Sequence, residues 1–220
     1  MNNKVLVIAV HPDDETLGCG GTLLKHKAQG DAIHWLIGTT IPDNHHYFDK
    51  REQEIDKVTQ LYVFDSVHNL RLKTMQVDEY SMSELISKIS AVIKEIQPNI
   101  IYLPFKADVH SDHRKIFDAA YSCTKSFRYP FIRKIYMMET LSETEFAPST
   151  KEDSFVPNVY NDISEYLEKK LDIMQVFASE IGEHPFPRSH KNMKALAILR
   201  GASAGCEYAE SFMLLKEIIQ

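Results

Sequence analysis

The chain alternates short apolar runs with stretches whose apolar residues recur every three or four positions. Runs at residues 5–10, 32–38 and 100–104 have the length and β-branched content of strands buried on both faces. Residues 48–63 and 83–96 have the period of amphipathic helices. This β-α-β alternation predicts an α/β fold, with three layers built around a mostly parallel sheet.

Elsewhere in the chain the hydrophobic pattern is weaker, but it still indicates where strands and helices alternate. We expect a helix at 16–30, a short strand at 67–70 and a helix that starts at Ser111 or Asp112 and runs to about residue 125. Beyond it we expect strands at 133–138 and 155–160, helices at 162–177 and 191–202, and a last helix or strand at 208–219. No repeat or linker interrupts this order, so a single domain over residues 1–220 is predicted.

Composition narrows the classes of partner. The net charge of -6 argues against nucleic acid as the main partner, and no apolar run approaches the roughly 20 residues that span a bilayer. The first strand begins almost at residue 1, so we expect no export signal. Cys19, Cys123 and Cys206 are far apart and odd in number, which predicts reduced thiols, a cytoplasmic location and no cysteine metal site.

The first apolar run ends directly in a histidine, a proline and three acids, at residues 11–15. In parallel sheets, ligands bind at the carboxyl ends of strands. His11 and Asp14 are three positions apart in a predicted first helical turn, so their side chains can converge on one point while Asp13 points elsewhere. We therefore expect His11 and Asp14 to hold a metal, with Asp13 beside it.

A second polar cluster follows the strand at 100–104. His110 and His113 are also three apart at the start of a predicted helix, and the two strand ends can face each other across one edge of the sheet. Nitrogen and oxygen ligands without thiolate suit a catalytic zinc that keeps a fourth position open for water. The predicted ligand set is His11, Asp14 and His113.

Hydrolysis at such a site needs further groups. A bound metal lowers the pKa of its water towards 7, and a base must still accept the proton. Asp13 is the candidate base, and His110 is the candidate to polarise a carbonyl or protonate a leaving amine. Asp112 either caps its helix or orients His110 or a ligand.

Taken together, residues 10–15 and His110-Ser111-Asp112-His113 resemble the signature of the LmbE-like, or PIG-L, metal-dependent deacetylases, which is Ala-His-Pro-Asp-Asp-Glu with a later His-x-x-His. Val10 replaces the alanine. Residues 51–54 are similar to the family's Arg-x-x-Glu helix, and residues 200–212 are similar to its C-terminal signature.

The resemblance implies a Rossmann-like, LmbE-like fold and a divalent metal, usually Zn²⁺, although another divalent metal would suit the ligands. It implies removal of an N-acetyl group from an N-acetylglucosamine-type sugar or conjugate by attack of zinc-bound water. It also implies roles for six residues: His11, Asp14 and His113 as ligands, Asp13 as base, His110 as oxyanion stabiliser and Arg51 as a substrate contact. Some members place a mobile tyrosine just before His110, and residues 107–109 offer none.

Two other functions fit parts of the pattern. A metal-dependent phosphoester hydrolase would use the same ligand types, but it usually needs a second metal and more carboxylates. A sugar- or nucleotide-binding module without catalysis would not need Asp13. The glycines at 18, 20 and 21 do not have dinucleotide-binding spacing and are interpreted as helix packing. The expected partner is a small amino-sugar substrate, and the chain is a candidate homo-oligomer.

Overall fold

The computed structural model describes residues 2–219. Its first half alternates strands and helices: β1 (Lys4–Ala9), α1 (Asp14–Ala28), β2 (Ala32–Thr40), α2 (Phe48–Tyr62), β3 (Ser66–Lys73), α3 (Met82–Ile96), β4 (Ile100–Leu103) and α4 (Ser111–Ser122). Its second half contains β5 (Lys134–Met138), β6 (Val159–Asp162), α5 (Leu167–Met174), α6 (His190–Ala204) and β7 (Ala209–Glu217). The regular alternation confirms the predicted α/β class.

All seven strands join one sheet in the order β3-β2-β1-β4-β5-β7-β6. The pairs from β3 to β5 are parallel, and β7 runs antiparallel to both β5 and β6. Since β2 and β4 flank β1 on opposite sides, the strand order reverses direction there. A crevice forms at such a reversal, outside the carboxyl ends of the strands, and it is where ligands bind in open α/β sheets.

Two apolar cores lie on opposite faces of the sheet, and β1 contributes to both. Val5, Val7 and Ala9 belong to the core under α1, α2, α5 and α6, whereas Leu6 and Ile8 belong to the core under α3 and α4. Successive side chains of a strand point to opposite faces. This double burial explains why β1 has no polar residue between Val5 and Val10.

Helix α1 is held close to the sheet along its first half. A side-chain carbon added at Gly21 would lie 2.8 Å from Ile163, and one at Gly18 would lie 2.7 Å from the Met138 sulfur. The interpretation of these glycines as packing positions is therefore confirmed. The helix is kinked at Cys19, where the backbone is not helical (φ -149°).

A buried ion pair joins the kinked helix to α5 and β7. Glu210 accepts hydrogen bonds from the backbone N–H groups of Gly21 (2.9 Å) and Thr22 (2.7 Å) and from Lys170 Nζ (2.7 Å). Lys170 also donates to the Leu17 carbonyl at 2.9 Å. These bonds satisfy backbone groups that the kink leaves without helical partners.

Several predicted boundaries are corrected. Residues 208–219 form strand β7, the short strand at 67–70 extends over Ser66–Lys73, and the helix predicted at 162–177 is α5 followed by a 3-10 turn. Helix α4 begins at Ser111, as predicted, but it is capped by His110 and not by Ser111 or Asp112, because the His110 ring Nδ1 accepts the Asp112 N–H at 3.1 Å. Within residues 2–219, no helix combines the length and the apolar character needed to cross a bilayer.

Candidate metal and active site

The site is built at the carboxyl ends of two neighbouring strands, β1 and β4. The turn at residues 11–14 leaves β1 and enters α1, and the loop at 105–110 leaves β4 and enters α4. Adjacent parallel strands bring these two connections together, as the sequence analysis expected. Asp14 fixes the first turn, because its Oδ2 accepts the backbone N–H groups of Val10 (3.0 Å) and His11 (2.8 Å).

His11, Asp14 and His113 form one group that could hold a metal ion. His113 Nε2 lies 3.3 Å from His11 Nδ1 and 3.3 Å from Asp14 Oδ2. His11 Nδ1 and Asp14 Oδ2 are 3.8 Å apart. The structure thus brings together the three predicted ligands. A second candidate group, formed by His11, His110 and Asp112, shares His11 with the first.

The spacing of these atoms fits a tetrahedral ion. Nitrogen and oxygen ligands at about 2.0–2.2 Å from zinc, at tetrahedral angles, lie roughly 3.3–3.6 Å apart. The three measured separations fall within or just outside that range. Two imidazoles and one carboxylate are also the donor set of several catalytic zinc sites. By geometry and by chemistry, the residues fit the implied metal.

Asp108 orients the predicted ligand His113, although the sequence pattern did not single it out. Its carboxylate lies 2.8 Å from His113 Nδ1 and accepts a second hydrogen bond, of 2.7 Å, from Thr144 Oγ1. The bond to Nδ1 leaves the Nε2 lone pair directed at the metal position. The sequence feature that could have indicated this role is the position of Asp108, five residues before His113 in the loop after an apolar strand.

Charge also ties these groups together. Burial alone would lower the pKa of His113, but the carboxylates of Asp14 and Asp108 raise that pKa well above its usual range. Burial alone would raise the pKa of Asp14, and His113 and His11 hold it far below its ordinary value. Without a metal, this cluster therefore binds a proton tightly at the same place.

Asp112 was predicted to cap its helix or to orient His110 or a ligand, and its carboxylate lies closer to His11 than to His110. Its Oδ2 lies 3.6 Å from His11 Nε2 and 4.0 Å from His110 Nδ1. The same carboxylate accepts the N–H groups of Met75 (2.7 Å) and Val77 (3.2 Å). Asp112 thus fixes the segment after β3 next to the site.

His110 stands beside the ligands, with its ring 4.7 Å from the ring of His11 in an edge-on arrangement. Because Nδ1 accepts the Asp112 N–H, Nε2 is the nitrogen that remains for a bound molecule. Burial and the neighbouring His11 lower the pKa of His110. A bound molecule would therefore meet a ring that is largely neutral at pH 7.

Asp13 occupies a strained backbone position (φ 135°) just before α1. Its N–H donates to the buried Glu15 carboxylate at 3.1 Å, and Glu15 also accepts the Thr16 hydroxyl at 2.6 Å. Glu15 is therefore a support for this turn. Burial and the neighbouring Asp14 raise the pKa of Asp13 well above its usual range, while Arg188, 3.9 Å away, partly lowers it. A carboxylate with a raised pKa is a better proton acceptor.

Arg51 lines the site but is held by protein groups. Its Nη1 donates to the Pro12 carbonyl at 3.0 Å, Nη2 lies 2.5 Å from Glu180, and Nε lies 3.3 Å from Glu54. The structure therefore places the predicted substrate contact at the site with its guanidinium already engaged.

A cavity of about 340 Å³ opens over the metal group. Its wall includes residues at 11–14, Thr40, Ile41, Arg51, Thr74, Met75 and His110. Three further charged residues complete it: Glu143, Glu180 and Arg188. Glu143 lies in the turn after β5, Glu180 ends the 3-10 segment after α5, and Arg188 lies in the Pro-rich loop at residues 182–190. No hydrophobic periodicity in these segments indicates which residues lie near the site.

Comparison with known proteins agrees with this geometry. The model of the PIG-L family, described as GlcNAc-PI de-N-acetylase, matches residues 6–124, more than half of the chain. The match spans β1 to α4 and so includes both connections that carry the metal group.

Curated relatives cover most of the chain. Diacetylchitobiose deacetylase of Thermococcus kodakarensis is 24% identical and covers 98% of this chain and 84% of its own length. A probable N-acetyl-alpha-D-glucosaminyl L-malate deacetylase of Bacillus anthracis is 22% identical, over 80% of both chains. Among solved structures, N,N'-diacetylchitobiose deacetylase from Pyrococcus horikoshii superposes with a TM-score of 0.77 at 21% identity, over 97% of this chain and 84% of that one.

Proposed function

Because the chain belongs to the PIG-L family, we propose that it is a zinc-dependent hydrolase that removes the acetyl group from an N-acetylglucosamine-type sugar or conjugate. The observation that carries the proposal is the triangle of His11, Asp14 and His113, with separations that suit one tetrahedral cation, at the base of an open cavity. The relatives named above are deacetylases of such sugars, which supports the substrate class.

His11, Asp14 and His113 would hold the metal. When bound, zinc supplies a water of lowered pKa and polarises the acetyl carbonyl. Asp108 holds His113 in the tautomer that ligation requires, and Asp112 restrains His11 from its other side. The donor set and its surroundings therefore support a catalytic site with one open position.

Asp13 is the proposed base. It is adjacent to a ligand in the chain, its carboxylate is buried in the wall of the cavity, and the ligand triangle does not include it. A raised pKa lets its carboxylate accept the proton of the attacking water. The same group can later return that proton to the sugar nitrogen, so that acetate and a free amine leave.

His110 is the proposed partner of the acetyl oxygen. Its Nε2 is available because the other nitrogen is used by the backbone of α4. With Nδ1 occupied as an acceptor, the neutral ring presents its Nε2 proton, which can stabilise developing negative charge on the acetyl oxygen. Arg51 stays a proposed substrate contact, presented in one orientation by Pro12, Glu54 and Glu180. The free cysteines fit the proposed cytoplasmic location, and homo-oligomerisation remains part of the proposal.

Metal content and amine release test the proposal together. Purified protein should contain about one zinc per chain and release primary amine from N-acetylglucosaminyl compounds. A chelator should abolish the activity, and zinc should restore it. His113→Ala should lose both metal and activity. Phosphatase activity without amine release would instead favour a phosphoester hydrolase.

A further inference from the structure

Glu143 is a half-buried acidic residue of the cavity that the proposed reaction does not use. Burial raises the pKa of Glu143 to about 7, so its carboxyl group is mostly ionised only above neutral pH. It lies in the turn at residues 140–144, directly after β5. The Glu143 N–H donates to the Thr140 carbonyl at 3.1 Å, and its own carbonyl accepts the Val109 N–H at 3.2 Å. Thr144, the next residue, donates to Asp108. The turn is thus tied to the loop that orients His113, which fixes where the Glu143 side chain enters the cavity.

One oxygen of the Glu143 carboxylate is buried without a hydrogen-bond donor. Its Oε2 is buried and, within residues 2–219, accepts no hydrogen bond. It shares the cavity wall with His11, Asp13 and His110. A buried carboxylate oxygen normally has a hydrogen-bond donor, so this atom is suited to a donor on a bound molecule.

The two arginines of the cavity do not offset this charge. Arg51 is engaged by the Pro12 carbonyl, Glu54 and Glu180. Arg188 donates to the Glu180 carbonyl at 2.8 Å, lies 3.2 Å from the Glu180 carboxylate and donates to Ser142 at 3.2 Å. Each guanidinium therefore already has a carboxylate partner. A carboxylate on a ligand would have to compete with Glu180 for either one.

The remaining rim of the cavity is uncharged. Thr40, Ile41 and Thr74 line it, and Met75 is 74% exposed at its edge. The free groups that face a bound molecule are therefore hydrogen-bond acceptors and neutral side chains. Such a surface suits hydroxyl groups and repels anions.

We propose, on the basis of the proposed function, that Glu143 determines specificity by accepting hydrogen bonds from sugar hydroxyls, and that the substrate is a neutral N-acetylglucosaminide. A conjugate whose aglycone carries carboxylates is disfavoured, because its charge would face Glu143 while both guanidinium groups of the cavity are already paired with Glu180. Of the substrate classes that the relatives' names describe, diacetylchitobiose is neutral and the malate conjugate is anionic.

The test compares two substrates in zinc-loaded enzyme at about pH 8.5, where Glu143 carries its charge, with amine release as the readout. Wild type should have a kcat/KM for diacetylchitobiose at least tenfold higher than that for N-acetylglucosaminyl malate. Glu143→Gln keeps the shape but removes the charge. It should lower kcat/KM for diacetylchitobiose about tenfold, as expected when a charge-assisted hydrogen bond becomes neutral, and raise that for the malate conjugate.

Glu145→Gln is the matched control, because Glu145 lies in the same segment with an exposed side chain, and it should leave both values unchanged. A wild-type preference for the malate conjugate, or an unchanged substrate ratio in Glu143→Gln with normal metal content, overturns the role of Glu143 while leaving the deacetylase intact. If wild type releases amine from no N-acetylated sugar, the proposed function fails, and this inference fails with it.

Discussion

Replacement of Asp108 by Asn should weaken metal binding without touching a ligand. Asp108 is fully buried, and its carboxylate holds His113 Nδ1 at 2.8 Å. The amide of Asn has nearly the same shape, and its oxygen can still accept the His113 N–H. The substitution removes the negative charge, and its amide N–H also replaces the oxygen that accepts the Thr144 hydroxyl, a bond that does not involve His113.

The size of the effect on zinc affinity follows from the loss of the negative charge next to His113. A hydrogen bond to a charged group contributes about 1.5–3 kcal/mol, and a neutral one contributes about 0.5–1.5 kcal/mol. A loss of about 1–1.5 kcal/mol corresponds to roughly tenfold weaker binding. Groups that orient metal-bound histidines typically change affinity by about 10- to 100-fold, which brackets this value.

A competition titration with a chromophoric chelator measures the zinc affinity of both proteins. Asp118→Asn, which changes an exposed carboxylate of the same helix as His113, is the control and should bind zinc as wild type does. If the affinity of Asp108→Asn stays within twofold of wild type, Asp108 does not orient the ligand as described here.

Three further outcomes are expected. Zinc affinity should rise about tenfold from pH 6 to pH 7, because the raised pKa of His113 keeps its ring protonated in the metal-free protein and zinc must displace that proton; calorimetry in buffers of different ionisation enthalpy should show proton release. Lys170→Met should lower the free energy of unfolding by about 3–5 kcal/mol in urea titrations, because it leaves Glu210 buried without its cation. Gly21→Ala should cost about 1–3 kcal/mol in the same assay, because the added carbon would meet Ile163.

Each of these outcomes has a result that would contradict it. A zinc affinity that does not change with pH would mean that no proton is displaced from the site. Lys194→Met removes an exposed ion pair with Glu168 and should leave the free energy of unfolding unchanged. If Lys170→Met changes that free energy no more than Lys194→Met does, burial does not make the Lys170–Glu210 pair important for stability. Unchanged stability of Gly21→Ala would show that α1 can move away from the sheet.

The three candidate metal ligands could be selected from the sequence because each depends on local geometry. His11 and Asp14 share one turn, and His113 enters the first turn of a helix after an apolar strand. The order of parallel strands then brings the two connections together. A three-residue spacing and a strand end are short-range features, and both are visible in the printed sequence.

The rest of the cavity depends on segments without such regularity. Glu143, Glu180 and Arg188 come from a turn, a 3-10 segment and a Pro-rich loop, whose paths are fixed by individual hydrogen bonds and not by a hydrophobic period. The sequence also left open whether residues 208–219 form a helix or a strand, since an apolar stretch near the end of a chain suits either one until its neighbours are known. In the structure it fills the space between β5 and β6.

The most direct test of the account is the behaviour of Asp13→Asn, measured for zinc content and amine release beside wild type. Asn tolerates an unusual backbone angle better than most residues, so the turn should survive the change. The proposed role of Asp13 predicts that the variant retains about one zinc per chain and loses at least 100-fold in kcat, because general base catalysis typically contributes about 10²–10⁴-fold. A variant that keeps both zinc and wild-type turnover would contradict it.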